Sequence, residues 1–155
     1  MADYKVLVPF NLAVDDDRTL DFVVHLFSKR KEALITLFYA CNPVSELQVQ
    51  NNPIMEKMAG NIAYRRQMLR DQEKALEAAG ERLTNKGFKF DRVNTLFRPL
   101  KKDVPSDIVR LIRDKGFDAV VLTRNPGRIA GFFTRSVSAK VSRNISSDVQ
   151  LFFVN

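Results

Sequence analysis

Arg124, Arg128 and Arg135 gather in one stretch with Gly127 and Gly131, and the stretch closes on Thr134-Arg135-Ser136-Val137-Ser138. A guanidinium is a permanent forked donor for phosphate or carboxylate. Glycines let backbone amides approach an anion closely and permit positive φ. The stretch follows the apolar run Phe117 to Thr123 and precedes a short helical pattern and the apolar Val149 to Val154. Strand, glycine loop, helix and strand make a half-unit of a parallel α/β sheet, with the loop where such sheets bind phosphates. Two readings stand: the arginines are solvated loop charges, as charge clusters usually are, or they form an anion site held by side chains.

Other chemistry is sparse. His25 is the single histidine and lies beside an apolar helical stripe, so one chain offers neither a Ser-His-Asp triad nor a multi-histidine metal site. It reads as a helix-surface residue. Asp15, Asp16 and Asp17 could hold magnesium beside a nucleotide, but helix capping accounts for them more simply. Cys41, the one cysteine, excludes an intrachain disulfide and a cysteine zinc cluster; it reads as a packed or idle thiol. No nucleophile with its base and no carboxylate pair with a role stands out, which disfavours an ordinary enzyme.

The elements that position these residues alternate along the chain. Lys5 to Phe10 and Ala33 to Tyr39 are short apolar runs of buried-strand type. Between them Leu20, Val23, Val24 and Phe27 mark one face of a helix. After a Pro-containing loop, a helical pattern runs from Ile54 to about Lys86 and stops at Gly87. Its apolar positions Met55, Ile62, Leu69, Leu76 and Leu83 recur every seventh residue. Unbroken, it is about 50 Å long against about 20 Å for a strand, so it overhangs the sheet or breaks near Gly60-Asn61. Met55, Met58 and Met68 are expected in the core, with a partner surface as the alternative. Phe90 to Leu96 fits a third strand, Ile108, Leu111 and Ile112 a helix after Pro105-Ser106, and Ala119 to Leu122 a fourth strand. Val137, Val141 and Ile145 line the last helix before Val149 to Val154. Such alternation implies a parallel sheet with helices on both faces.

The chain of 155 residues suits one domain, residues 1–155, with a sizeable core. At 45% hydrophobic and 28% charged it is an ordinary folded composition, and no apolar run approaches a membrane span. The beginning, Met1-Ala2-Asp3-Tyr4-Lys5, lacks the pattern of a secretory signal, so a cytoplasmic location is expected. The net charge of +7 is uneven: residues 1–97 carry 14 Lys+Arg against 13 Asp+Glu, residues 98–155 carry 11 against 5. The basic half is the half with the glycine loop. It could attract phosphates, nucleic acid or acidic partners.

Val6-Leu7-Val8-Pro9, the Ile108-Val109 helix leading to Phe117-Asp118-Ala119-Val120-Val121-Leu122, the Ser136-Val137-Ser138 turn and the closing Val149 to Val154 resemble the universal stress protein family, in order and spacing along essentially the whole chain. The resemblance implies a Rossmann-like, adenine nucleotide alpha hydrolase-like fold, three layers α/β/α around a five-stranded parallel sheet of order 3-2-1-4-5. It also implies a homodimer and a cytoplasmic role in stress survival. The cofactor implied is ATP or another adenine nucleotide, held at the strand C-terminal ends.

Carried over position by position, the likeness is incomplete. The nucleotide-binding branch has Val-Pro-x-Asp after the first strand; here the element is Val8-Pro9-Phe10-Asn11, which keeps a carbonyl acceptor and loses the charge. The branch's loop has Gly, two residues, Gly, nine residues, Gly, then Ser or Thr. In this chain the first glycine falls on Thr123, the second near Asn125 to Gly127, and the last on Arg135; Ser136-Val137-Ser138 matches. The candidate nucleotide or anion set is therefore Pro9, Phe10, Asn11, Ala40, Leu122, Thr123, Arg124, Gly127, Arg128, Arg135, Ser136, Val137 and Ser138. An open apolar edge strand invites uncontrolled pairing. Dimers of the family pair the last strand across a twofold axis, which assigns Val149, Leu151, Phe152, Phe153 and Val154 to a dimer seam.

Three functions follow from these readings. One is a stress-response dimer acting through contacts with an unidentified protein partner, its nucleotide pocket degenerate. The second is a nucleotide-binding switch with at most weak hydrolysis. The third, a basic nucleic-acid-binding module, lacks a recognised motif or a basic-aromatic strand platform.

Overall fold

The apolar runs pair into one sheet, and the three central ones are rich in β-branched and aromatic residues that bury on both faces, while the two edge strands are half-buried. The structure, a computed structural model, describes residues 2–10, 12, 17–41, 53–123 and 135–154, with the backbone alone at 53–61 and 135–138. Its strands are β1 (Tyr4–Pro9), β2 (Ala33–Cys41), β3 (Val93–Pro99), β4 (Ala119–Thr123) and β5 (Gln150–Val154). All pairings are parallel and the order is β3-β2-β1-β4-β5. The helices are α1 (Asp17–Phe27), α2 (Pro53–Asn85), α3 (Val104–Lys115) and α4 (Arg135–Asn144).

Two apolar clusters sandwich the sheet. Alternation along β1 sends Val6 and Val8 into one with Leu20, Val23 and Phe27 of α1 and Leu76 and Leu83 of α2. Leu7 goes into the other with Ile108, Leu111 and Ile112 of α3 and Val141 of α4. These α1 and α3 stripes are the ones expected from the 3.6-residue spacing. Asp103 starts α3 by accepting the Ser106 amide at 2.8 Å, and Gly116, at φ 68, ends it in the left-handed region where glycine lacks a Cβ penalty.

Helix α2 is continuous over its 33 residues, with no break at Gly60-Asn61. It therefore overhangs the sheet. Leu76, Ala79 and Leu83 are fully buried, whereas Tyr64 is 69% exposed and Met68 42% exposed. Met68 thus corrects the expectation of a core methionine: it lies on the exposed side of α2, while its neighbour Leu69 packs against the core. Met55 and Met58 have side chains outside the described residues.

The third strand begins later than expected. Phe90–Arg92 is a short 3-10 turn and pairing starts at Val93 opposite Ile35, while Phe90 is 90% exposed. The cause is not local. Arg92 is anchored to the Glu32 carbonyl at 2.7 Å and to Asp3 at 2.8 Å, which places the strand entrance beyond it. Val149 also lies just outside β5, which opens at Gln150.

Candidate functional site

The strand order reverses between β1 and β4, and α1 and α4, which follow them, pack on opposite faces; the C-terminal ends of these strands are therefore the switch point at which open parallel sheets form a ligand crevice. Its walls come from the ends of β1, β2 and β4 and the start of α4. Pro9 lies in register with Phe38, and the Phe10 amide donates to the Phe38 carbonyl at 2.8 Å. Pro9 is buried, and Phe10, at 1% exposure, belongs to the cluster under α1 and α2. Ala40 and Leu122 are buried on the opposite face, against α3 and α4. The first turn of α4 begins at Arg135 and includes Ser136, Val137 and Ser138. Its orphan amides are the kind of donors that bind anions. The candidates Asn11, Arg124, Gly127 and Arg128 lie outside the described residues, as do the side chains of 135–138.

Thr123 closes β4. Its Oγ1 lies 3.1 Å from Oγ1 of Thr19 in the first turn of α1, with Thr19 1% and Thr123 6% exposed. The hydroxyl is directed to α1, and the buried pair ties the floor of the crevice to that helix. The contribution of Thr19 was not anticipated from the sequence. The available signal was its place four residues before Val23 on the buried ladder of α1.

Acid groups nearby act structurally. Asp17 pairs with Arg82 of α2 at 2.6 Å, joining the two helices of one face. Asp15 and Asp16 lie outside the described residues, and no metal-binding group of acids, His and Cys occurs among the described ones. Asp107, buried in α3, accepts the Lys101 and Lys102 amides at 2.8 and 3.2 Å and so fixes the loop after β3. The carboxyl of Asp103 is held below the ordinary range by hydrogen bonds from Ser106, side chain first and then backbone. His25 is exposed on α1. Cys41 is buried at the end of β2, and burial pushes its thiol up, away from thiolate reactivity. No helix among the described residues is long and apolar enough to cross a membrane.

Sheet order and helix placement match known structures along the whole chain. A universal stress protein family protein from Burkholderia pseudomallei superposes with a TM-score of 0.62 at 15% identity, covering 97% of this chain and 95% of the other. The fold is that of the universal stress proteins. UspA from Lactobacillus plantarum gives a TM-score of 0.63 at 13% identity, with both chains fully covered. A universal stress protein solved in complex with cAMP gives 0.60 at 16% identity, again over all of both chains. No family model and no curated protein matches the sequence.

Proposed function

We propose that the protein is a universal stress protein-like cytoplasmic homodimer that acts in a stress response through protein contacts, its adenine-nucleotide crevice degenerate. The observation that carries this reading is Thr123. It stands where the nucleotide-binding branch has a glycine, and its side chain is held in a buried hydroxyl pair at the crevice floor. The substitutions Asn11 for the branch's aspartate and Arg135 for its last glycine point the same way. A Cβ at such positions keeps backbone amides from phosphate oxygens.

The dimer seam proposed is β5 with the preceding Val149. Among the described residues β5 pairs with β4 alone, and its Leu151, Phe152 and Phe153 remain half-buried, so its other edge is open for pairing. A second copy related by a twofold axis would cover that edge.

Native mass spectrometry of the purified protein tests both parts. The expected result is a dimer without nucleotide; retained adenine nucleotide overturns the degenerate crevice, and a monomer at micromolar concentration overturns the seam.

A nucleotide-binding switch is the second reading, favoured by the likeness to a cAMP-bound structure together with Pro9 and the α4 first turn at Arg135. In that case Arg124, Arg128 and Arg135 would supply side-chain donors to the phosphates in place of the backbone cradle. Calorimetry with AMP, cAMP, ATP and inorganic phosphate at low salt decides it: saturable binding supports the switch, and none at all removes it.

A further inference from the structure

The basic excess of the C-terminal half does not stay with the crevice loop. Much of it lies on the outer face of α3 and α4 and on the rim beside β3. Ser106, Val109, Arg110 and Arg113 follow one another at helical spacing along α3, and with Lys102 and Lys140 they border a groove of about 340 Å³ between the two helices. On the other side of Arg110 is a smaller pocket of about 110 Å³, floored by Phe38, Pro99 and Leu111 and rimmed by Arg98 and Lys101. Arg110 and Asp114 belong to both. The two hollows thus adjoin across α3, with Arg110 and Asp114 between them.

Their cations outnumber the carboxylates beside them. Arg98, Lys101, Lys102, Arg110 and Arg113 form no ion pair with a carboxylate among the described residues, and Lys140 reaches Asp103 only at 3.8 Å. Two of the acids nearby also hold backbone amides, Asp107 those of Lys101 and Lys102 and Asp103 that of Ser106, and neither makes a close ion pair with an arginine of this face. Asp114 is the remaining carboxylate in either hollow. The rim is also rigid, because the Leu100 amide donates to the Cys41 carbonyl at 2.8 Å and Asp107 pins the next two residues.

We infer that this face docks an acidic protein segment, whose carboxylates lie along the Arg110, Arg113 and Lys140 groove while one apolar side chain enters the Phe38–Leu111 pocket. Charge complementarity names the partner's sign, and the apolar floor beside the cations names its anchor. The pocket is smaller than the cavity of about 150 Å³ that holds a benzene ring, which suits a Leu or a partly inserted Phe. A single-stranded nucleic acid is the poorer occupant, since it needs exposed aromatic platforms for its bases. Phe38, the aromatic ring in this feature, is 4% exposed. The inference rests on the protein-contact reading above and names the chemistry of its partner.

The test uses the whole protein and a fluorescent synthetic peptide of alternating Glu and Asp around one central Leu, read by anisotropy. Saturable binding is expected, weakened about tenfold by Arg110→Gln combined with Arg113→Gln, and about as much when the peptide's Leu becomes Ser. Lys29→Gln with Lys31→Gln, at the opposite end of the sheet, should leave it unchanged. Binding that survives the α3 substitutions, that persists with a Gln/Asn peptide, or that is absent overturns the inference. A single-stranded oligonucleotide of equal charge that binds more tightly than the peptide also overturns it, in favour of a nucleic-acid face. Failure here with a nucleotide-free dimer in mass spectrometry leaves the protein-contact reading standing, whereas retained nucleotide removes that reading whatever the peptide does.

Discussion

The Thr19–Thr123 pair gives the sharpest test of how the crevice is built. Thr19→Val keeps the side-chain shape and removes one hydroxyl, leaving Thr123 Oγ1 buried without the partner now 3.1 Å away. A buried hydrogen bond is worth about 1 kcal/mol net, and a stranded polar group adds a desolvation cost within about 1–3 kcal/mol. Because Thr123 is nearly but not wholly buried, Thr19→Val should cost about 1.5 kcal/mol. Thr123→Val should cost less, about 1 kcal/mol, since Thr19 has a further partner. When both hydroxyls are removed neither member of the pair is left facing an absent one, so the double variant should lose about 1.5 kcal/mol, where simple addition gives about 2.5. The coupling of about 1 kcal/mol corresponds to about 3 °C in Tm for a domain of this size. Urea unfolding followed by circular dichroism on the four proteins measures it. Additivity within about 0.3 kcal/mol would show that the hydroxyls do not interact, and would remove the buried pair as a reason for a closed crevice floor.

Other consequences are open to equally direct measurement. Gly80 sits in α2 with its missing Cβ 3.2 Å from Cγ2 of Thr95 on β3. Gly80→Ala therefore sets a helix gain of about 1 kcal/mol against overpacking of about 1–3 kcal/mol; combined with Thr95→Ser, which removes that methyl, it should be more stable than the two single effects add to, by chemical denaturation. Asp103→Ala removes the α3 cap and should cost about 1 kcal/mol at neutral pH. Since the folded carboxyl titrates below its ordinary range, its stabilisation is present above about pH 4 and is lost as pH falls through the folded value, so the gap to the parent should narrow there. A gap that widens in acid would contradict the cap. Cys41 should react with iodoacetamide at pH 8 far more slowly than a free thiol, and denaturant should abolish the protection; equal rates in the native protein would contradict its burial.

What the sequence made legible was set by local pattern. Val6, Leu20, Val23, Ile108 and Ile112 are where apolar spacing placed them, because a helix stripe or a buried strand is a property of neighbouring residues. The boundaries that moved depend on distant contacts. Phe90 looks like strand because Phe88 and Phe90 flank a single lysine, yet Arg92 reaches back to residues Asp3 and Glu32 and sets where pairing begins. Met68 is a residue of core type, but it lies on the exposed side of α2 while Leu69 packs against the core, and which side turns inward depends on how α2 docks on the sheet. For the site, the sequence marked the strand ends Pro9, Ala40 and Thr123 without showing that Thr19 would meet Thr123, a contact across 104 positions. Asp107 was equally hidden, because an acid in the first turn of a helix reads as a dipole partner until the loop it braces is in place.

The two faces of the sheet differ in charge as they do not in fold. On the α1 and α2 side the cations meet acids in cross-element pairs, Arg82 with Asp17 and Lys86 with Asp21, and Arg92 with Asp3 at the sheet's end. Such pairs are exposed and add little stability each, but they leave that side close to neutral. On the α3 and α4 side Asp103 and Asp107 accept from backbone amides, only Lys140 comes within ion-pair distance of Asp103, and the arginines of α3 have no carboxylate partner among the described residues. A nucleotide held by backbone amides at a crevice needs no field spread over a helix face well outside it. A field of that extent steers and orients something larger, and it does so at the cost of strong dependence on salt. The asymmetry is what the docking proposal rests on: a partner drawn by it would meet α3, away from the β5 edge proposed for a second copy of the chain.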